Sequence, residues 1–233
     1  MEIDKYLNKE TWTVKENSNI NYSAQALNLY LAGKEVKKYW MSLYGKEVEN
    51  AHDDGYFHAH DLTSLTAYCC GYNMEEFLYN GFGIKGQSTS KPPKHLSSAL
   101  GQLVNFLCSA SMEIAGAVAV SSFDTLLSPF VKEDNLTYDQ VKQLVQEFIF
   151  SINVPTRVGG QRVFSNITLD LNPPNKYKTK KVVIGGQKKD YCYGDCQKEM
   201  NMINKALAEV MTDGDSSGRV FSFPIITVNL TND

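Results

Sequence analysis

The chain has 233 residues, with 23 Lys and Arg against 26 Asp and Glu and a net charge of −3, enough length to bury a core as one large domain. No basic cluster is dense enough to track a phosphate backbone, which argues against nucleic acid as a direct partner. The longest apolar runs, such as Ile114 to Val120, fall far short of the ~20 residues a membrane span requires, so a soluble, cytoplasmic protein is expected.

The first segment with helical spacing runs from Ser23 to about Leu43, with Leu27, Tyr30, Leu31, Lys34, Val36, Tyr39 and Trp40 in step and Ser23 as N-cap. A short helix, a turn at Asp54-Gly55 and an extended run from Tyr56 follow. The β-branched and aromatic stretch Thr66 to Cys70 reads as a strand end or the loop just past it. "MEEFLYNGF" is a short helix stopped by Gly81, and "GFGIKGQSTSKPP" is a loop. From Lys94 a long buried helix carries Leu96, Leu100, Leu103, Val104, Leu107 and Met112, and its end becomes strand-like.

Thr137 caps a further helix whose Val141, Leu144, Val145 and Phe148 face inward. Beyond it, Phe164, Asn166, Thr168 and Asp170 alternate against Ser165, Ile167, Leu169 and Leu171, a strand pattern. "NPPNKYKTKK" reads as a solvated basic turn, "VVIGG" as a short strand, "CQKEMNMINKALAEVM" as a helix and "GRVFSFPIITVNLT" as a final strand. Helices and strands alternate, so the fold class is α/β with a mostly parallel sheet or barrel.

Cys69, Cys70, Cys108, Cys192 and Cys196 make an odd set of five, without the even framework of a disulfide scaffold, and reduced thiols are expected. Adjacent Cα atoms lie ~3.8 Å apart where a disulfide prefers ~5.5 Å, so Cys69 and Cys70 do not bridge each other. Cys108 lies on an apolar helix face and reads as a core thiol.

The stretch "HAHDLTSLTAYCCGY", His58 to Tyr72, concentrates the chemistry. His58, His60, Asp61 and Cys69 are ligand types, but zinc sites in loops bring paired cysteines at short spacing and no second such pair is present. No metal site is expected here, nor at Cys192 and Cys196. A cysteine hydrolase or acyl transferase would use Cys69 with His58 or His60 as base. Against it, apolar and aromatic surroundings raise a thiol pKa and suit a buried neutral thiol that gives up a hydrogen atom. "RVGGQ", Arg157 to Gln161, lies between a helix and a strand, the reverse of a phosphate-cradling loop. A tight turn and a close backbone approach to a ligand both explain its glycines.

The blocks "HAHDL", "AYCCGY", "SKPPKHLSSALGQLVNFL", "AGAVAVSSFDTLLSPF", "NVPTRVGGQRVFSNITLDL" and "GRVFSFPIITVNLT", with the lead "WTVKENSNINYS", resemble in their order the anaerobic, glycyl-radical class of ribonucleotide reductase. The resemblance spans essentially the whole chain. It implies the first part of a ten-stranded α/β barrel, with a helical lead to about residue 55 and barrel elements from about 56 to 233. It also implies reduction of ribonucleoside triphosphates to 2′-deoxyribonucleoside triphosphates for DNA synthesis, by thiyl-radical chemistry.

Cys69 matches the family's thiyl position and Cys70 a variable position beside it. His58 and His60 would shape the substrate pocket, with His58 nearer the ribose. Gln161 and Asn166 would offer amide groups at the barrel mouth. A deoxynucleotide effector would meet Lys94 and Asn105, on one helix face about three turns apart; the other reading of that segment is a solvated loop leading into a core helix.

The family also implies a glycyl radical made by an iron–sulfur activating enzyme that uses S-adenosylmethionine, a zinc site near the C-terminus, and a homodimer. No ATP-cone motif precedes Trp12, and neither the radical nor the zinc segment occurs before Asp233. The chain is therefore expected to be an incomplete or split piece, inactive without a complementary C-terminal segment.

Overall fold

The computed structural model describes residues 1–11, 14, 20–84, 86, 88–156 and 160–230. Much of the lead from Trp12, and residues 157–159 of the glycine turn, lie outside the described residues.

Three helices open the chain: α1 (Glu2–Leu7), α2 (Ala24–Tyr44) and α3 (Lys46–Asp53). The Ser23 hydroxyl accepts the Ala26 N–H at 3.1 Å, which caps α2 as its sequence predicts. The buried stripe differs from the expected one. Ala26, Gly33 and Met41 are buried, while Tyr39 is exposed and Lys34 and Val36 are half-buried. Gly33 explains the rotation, because Thr63 closes so tightly on it that a Cβ there would lie 2.6 Å from Thr63 Cγ2. The Trp40 indole N–H then donates to the Ser64 carbonyl at 2.9 Å.

Next come β1 (Cys70–Tyr72), α4 (Met74–Asn80), α5 (Leu96–Met112), β2 (Val118–Val120), α6 (Phe123–Glu133), α7 (Tyr138–Asn153) and β3 (Ser165–Leu169). The chain continues through α8 (Asn175–Lys178), the hairpin β4 (Lys181–Ile184) and β5 (Gln187–Cys192), a 3₁₀ turn over Tyr193–Cys196, α9 (Gln197–Asp213) and β6 (Ile225–Val228). Four strands form one parallel sheet in the order β1-β2-β3-β6. Parallel neighbours need long crossovers, which the helices supply.

The register assigns each side chain to a face. Cys70, Val118 and Ser165 share one row; Tyr72, Val120, Ile167 and Ile226 share another. These rows meet the main core, where Leu103, Leu107, Phe123, Leu127, Phe148, Ile152 and Leu207 from the helices are also buried. The intervening rows are Gly71, Ala119, Asn166 and Ile225, then Thr168 and Thr227, and by strand alternation they point to the opposite face. On that face Gly71, Ile225 and Thr227 are exposed and Ala119, Asn166 and Thr168 half-buried.

Several elements depart from sequence expectation. Phe123–Glu133, a stretch to which the sequence analysis assigns no element, is a helix despite the interior Pro129, which removes a helix hydrogen bond. Here the Ser128 hydroxyl donates to the Thr125 carbonyl at 3.0 Å and so satisfies the group that proline leaves behind. "NPPNKYKTKK" is not merely a solvated turn: α8 buries Tyr177 against Tyr193, ring centroids 5.7 Å apart. β5 is missed because its alternation is charged rather than apolar. It pairs with β4 across Gly185 and Gly186, both at positive φ. The expected strand end at Thr66–Cys70 begins its ladder there, but β1 itself runs Cys70–Tyr72.

A candidate active site on the open sheet face

Cys69 enters β1 where that strand first meets β2. Backbone bonds from Ala115 N to Ala67 O (3.1 Å) and from Cys70 N to Ala117 O (3.0 Å) zip the two segments together. The Ala117 N–H donates to Cys69 Sγ at 3.2 Å. Gly116 makes this approach possible, since a Cβ there would stand 2.6 Å from the Tyr68 carbonyl oxygen and 2.7 Å from Cys69 Sγ.

The thiol is exposed, which corrects the expectation of a buried one. Alternation places Cys69 on the open face and Cys70 on the other, where Cys70 packs against the core. Asn166 shares the open face and donates from Nδ2 to Thr227 Oγ1 at 3.0 Å. It sits two strand spacings from β1, roughly 10 Å. All five cysteines are free thiols. Cys108 is half-buried against the core, with Sγ 3.7 Å from Thr156 Oγ1.

Upstream, four rings form a row toward Cys69. His52 and His58 have centroids 5.3 Å apart, His58 and His60 6.0 Å, and His60 and Tyr68 5.9 Å. Asp61, at φ +53°, turns the chain after His60 and brings Oδ2 to 3.2 Å from His60 Nε2. Burial pushes the Tyr68 phenol pKa up, and the nearby Asp61 and Cys69 add to the shift.

His58, Asp61 and Gln161 line a cleft of about 800 Å³ together with His52 and the rim lysines Lys34 and Lys37. Gln161 is 7% exposed, and its Oε1 is buried without a hydrogen-bond donor. The structure therefore gathers His58 and Gln161 in one cleft and sets Cys69 and Asn166 on the adjoining sheet face, with His60 and Tyr68 between. His52 was not singled out by its motif, although three of the four histidines in the chain lie between residues 52 and 60.

Lys94 and Asn105 lie elsewhere. Both are exposed, but Lys94 precedes α5, which starts at Leu96, so the two do not share a helix face. Eleven residues at the helical rise separate them by roughly 16 Å. The Lys94 stem lies over Gly185. Beside α5 a hollow of about 270 Å³ is lined by Tyr72, Phe77, Phe82 and Phe106.

Among the described residues no group of three His, Cys, Asp or Glu side chains is arranged to hold a metal ion, and no helix is long and apolar enough to cross a membrane.

Comparison with known proteins gives the arrangement a context. Two crystal structures of the anaerobic ribonucleotide reductase from Thermotoga maritima are similar to the chain. The complex with dATP and CTP is 24% identical, with a TM-score of 0.64, over 88% of this chain and 35% of that one. The form with dATP in the specificity site is 22% identical, with a TM-score of 0.65, over 97% of this chain and 41% of that one. A further structure described as anaerobic ribonucleotide reductase gives 22% identity and a TM-score of 0.66, over 97% and 38% of the respective chains. At these identities the likeness shows the fold, and the chain spans well under two thirds of each of these structures. No curated protein matches. The family model for anaerobic ribonucleoside-triphosphate reductase matches residues 16–233, and the chain belongs to that family.

Proposed function

We propose that the chain supplies part of the active site of an oxygen-sensitive ribonucleoside-triphosphate reductase, with Cys69 as the thiol that faces the ribose. The observation that carries this reading is the placement of Cys69, at the rim of a sheet face lined by Gly71, Ala119, Asn166, Thr168 and Thr227. Two of these are too small to fill space and three can hydrogen-bond a sugar. A parallel sheet ordinarily has both faces covered, so the open face is where the rest of a ten-stranded barrel would close over substrate.

In this proposal His58, His60 and Gln161 line the entry and meet the nucleotide. Gln161 Oε1 needs a donor, which a ribose hydroxyl or a base amino group provides. The dATP and CTP in the Thermotoga maritima complex suggest the same two ligand classes here, an effector and a substrate. Lys94, whose stem lies over Gly185, and Asn105 on α5 are the proposed effector contacts. Loss of dATP or dTTP affinity in Lys94→Ala tests them.

The glycyl radical, the radical-SAM activating protein, the zinc site, a complementary reductase segment, a homodimer and a cytoplasmic setting belong to this same proposal. The metal and the radical are assigned to no residue described here.

A hydrolase reading is not favoured. It needs an imidazole nitrogen on the sulfur, and the hydrogen bond Cys69 makes comes from the Ala117 amide.

The decisive experiment uses the complete, anaerobically activated enzyme. Cys69→Ser abolishes deoxynucleotide formation, because a serine O–H is far harder to homolyse than a thiol S–H, while Cys70→Ala keeps most of it. Release of tritium from the ribose 3′ position then divides two roles. Loss of release makes Cys69 the thiyl that abstracts hydrogen, as the resemblance implies. Retained release without product makes it a thiol that delivers reducing equivalents, a role suited to its exposure. Full reduction by Cys69→Ser removes it from the mechanism.

A further inference from the structure

We propose that His52 is a positioning residue: in its neutral form, with Nδ1 bare, it tethers the turn that carries His58 and His60. Ala59, between those two histidines, donates its backbone N–H to His52 Nδ1 at 3.2 Å. The ring of His52 also lies against that of His58, 5.3 Å apart and inclined by 32°. One side chain thus holds both the backbone and a ring of the returning segment.

The return is set up locally. Gly55, at φ +80°, reverses the chain after α3. Gly55 N bonds the His52 carbonyl at 3.2 Å and Tyr56 N bonds the Ala51 carbonyl at 2.9 Å. The following segment therefore comes back over the last turn of α3. His58 and His60 are themselves exposed, and the backbone between them is held at Ala59 by this bond.

A backbone N–H requires a lone pair, so Nδ1 must be unprotonated and the neutral ring carries its hydrogen on Nε2. Protonation at Nδ1 sets one donor against another and breaks the tether. Among the described residues, the charged and titratable groups that share the cleft with His52 are Lys5, Glu10, Lys34, Lys37, Lys38, His58 and Asp61, with Asp53 and Asp54 next to it in the chain and His60 beyond the ring of His58. Lys37 and Asp53 are engaged with each other at 3.0 Å. The tether should hold while Nδ1 is bare and fail once the ring takes a second proton.

The tether stands on geometry alone; only its consequence for nucleotide binding rests on the function proposed above. The test follows the Ala59 amide and the histidine ring nitrogens of the 233-residue chain by NMR across pH 5 to about 8. We expect a bare Nδ1 on His52 and an Ala59 amide that exchanges about ten-fold faster as His52 becomes charged. His52→Ala should lack the protection at every pH. His52→Asn, whose Oδ1 replaces Nδ1 as acceptor and does not titrate, should keep it down to acidic pH, and His58→Ala should keep the wild-type profile.

A folded His52→Asn chain that still loses Ala59 protection with the wild-type pH profile overturns the proposal, as does a hydrogen on Nδ1 at neutral pH. In a parallel titration of the complete enzyme with CTP, His52→Ala should bind about five-fold more weakly at neutral pH and His52→Asn should restore affinity. If the complete wild-type enzyme binds no CTP, the function proposed for the site fails, while the amide profile of the 233-residue chain still decides the role of His52.

Discussion

Cys69 and Cys70 differ in position by one residue and in role by the width of the sheet. The two-residue period of a strand turns one toward the open face and the other into the core, a distinction the sequence does carry once the strand is located. What the sequence hides is Gly116. Its spacing gives no motif, yet its missing side chain lets Tyr68 and Cys69 close against β2. Gly116→Ala should cost about 1 to 3 kcal/mol, the usual penalty of forcing atoms into a filled site, and should move Cys69. Urea denaturation reads the first effect and the alkylation rate of Cys69 the second; an unchanged pair would mean that the two segments separate easily. His52 was equally hard to read, because its contact with Ala59 depends on a chain reversal rather than on a repeat.

At the scale of elements, helices with strong local signals were legible. Thr137 caps α7 as its sequence predicts, with the full reciprocal pair: Gln140 N–H donates to Thr137 Oγ1, and Thr137 N–H donates to Gln140 Oε1 at 2.9 Å. Thr137→Ala should lower stability by about 1 kcal/mol, measured as a shift of the denaturation midpoint with unchanged slope.

The helix α6 carries an interior proline, and the carbonyl left without its partner is satisfied by Ser128, a contact that sequence patterning does not score. Its first turn is fixed by a buried carboxylate. Asp124 accepts the backbone N–H groups of Asp170 and Leu171 and an amide hydrogen of Asn204. Burial raises the Asp124 pKa, and these donors oppose the shift.

The docking of α1 onto α2 depends on Glu2, which pairs with Lys34 and Lys5 and accepts the Tyr30 hydroxyl. The Lys34 hydrogen bond, then Tyr30 and Lys5, draw the Glu2 pKa down to about 2 from 4.5. A lowered carboxyl pKa contributes stability above the unfolded value and loses it as pH falls through the folded one. Protection of α1 amides should therefore decline between pH 4.5 and about 2, and Glu2→Gln should remove that decline. An identical acid profile in the variant would exclude Glu2 as the cause.

For the whole molecule, the α/β class and the order of its elements followed from alternating periodicities, whereas the one-sidedness of the sheet did not. The sequence of β3 alternates Asn166 and Thr168 against Ile167 and Leu169, which predicts a strand with one polar face. It does not reveal that Gly71, Ala119 and Thr227 of the other strands lie on the same side as Asn166 and Thr168, since that depends on the register between strands about 50 residues apart. The two faces should respond differently to substitution. Ile167→Ala, in the core, should cost about 2 to 5 kcal/mol, and Asn166→Ala, on the open face, about 0.5 kcal/mol or less. Comparable losses from both, measured by thermal melting, would place a covering layer over Asn166.

The adjacency of Cys69 and Cys70 offers one more use. Two thiols that share a peptide bond travel in the same proteolytic fragment, so their alkylation can be compared within a single ion series, free of differences in digestion or recovery. Cys70 then serves as an internal clock for opening of the core, and the ratio of the two labels reports when something settles on the outer rim of β1, be it a nucleotide or another stretch of protein.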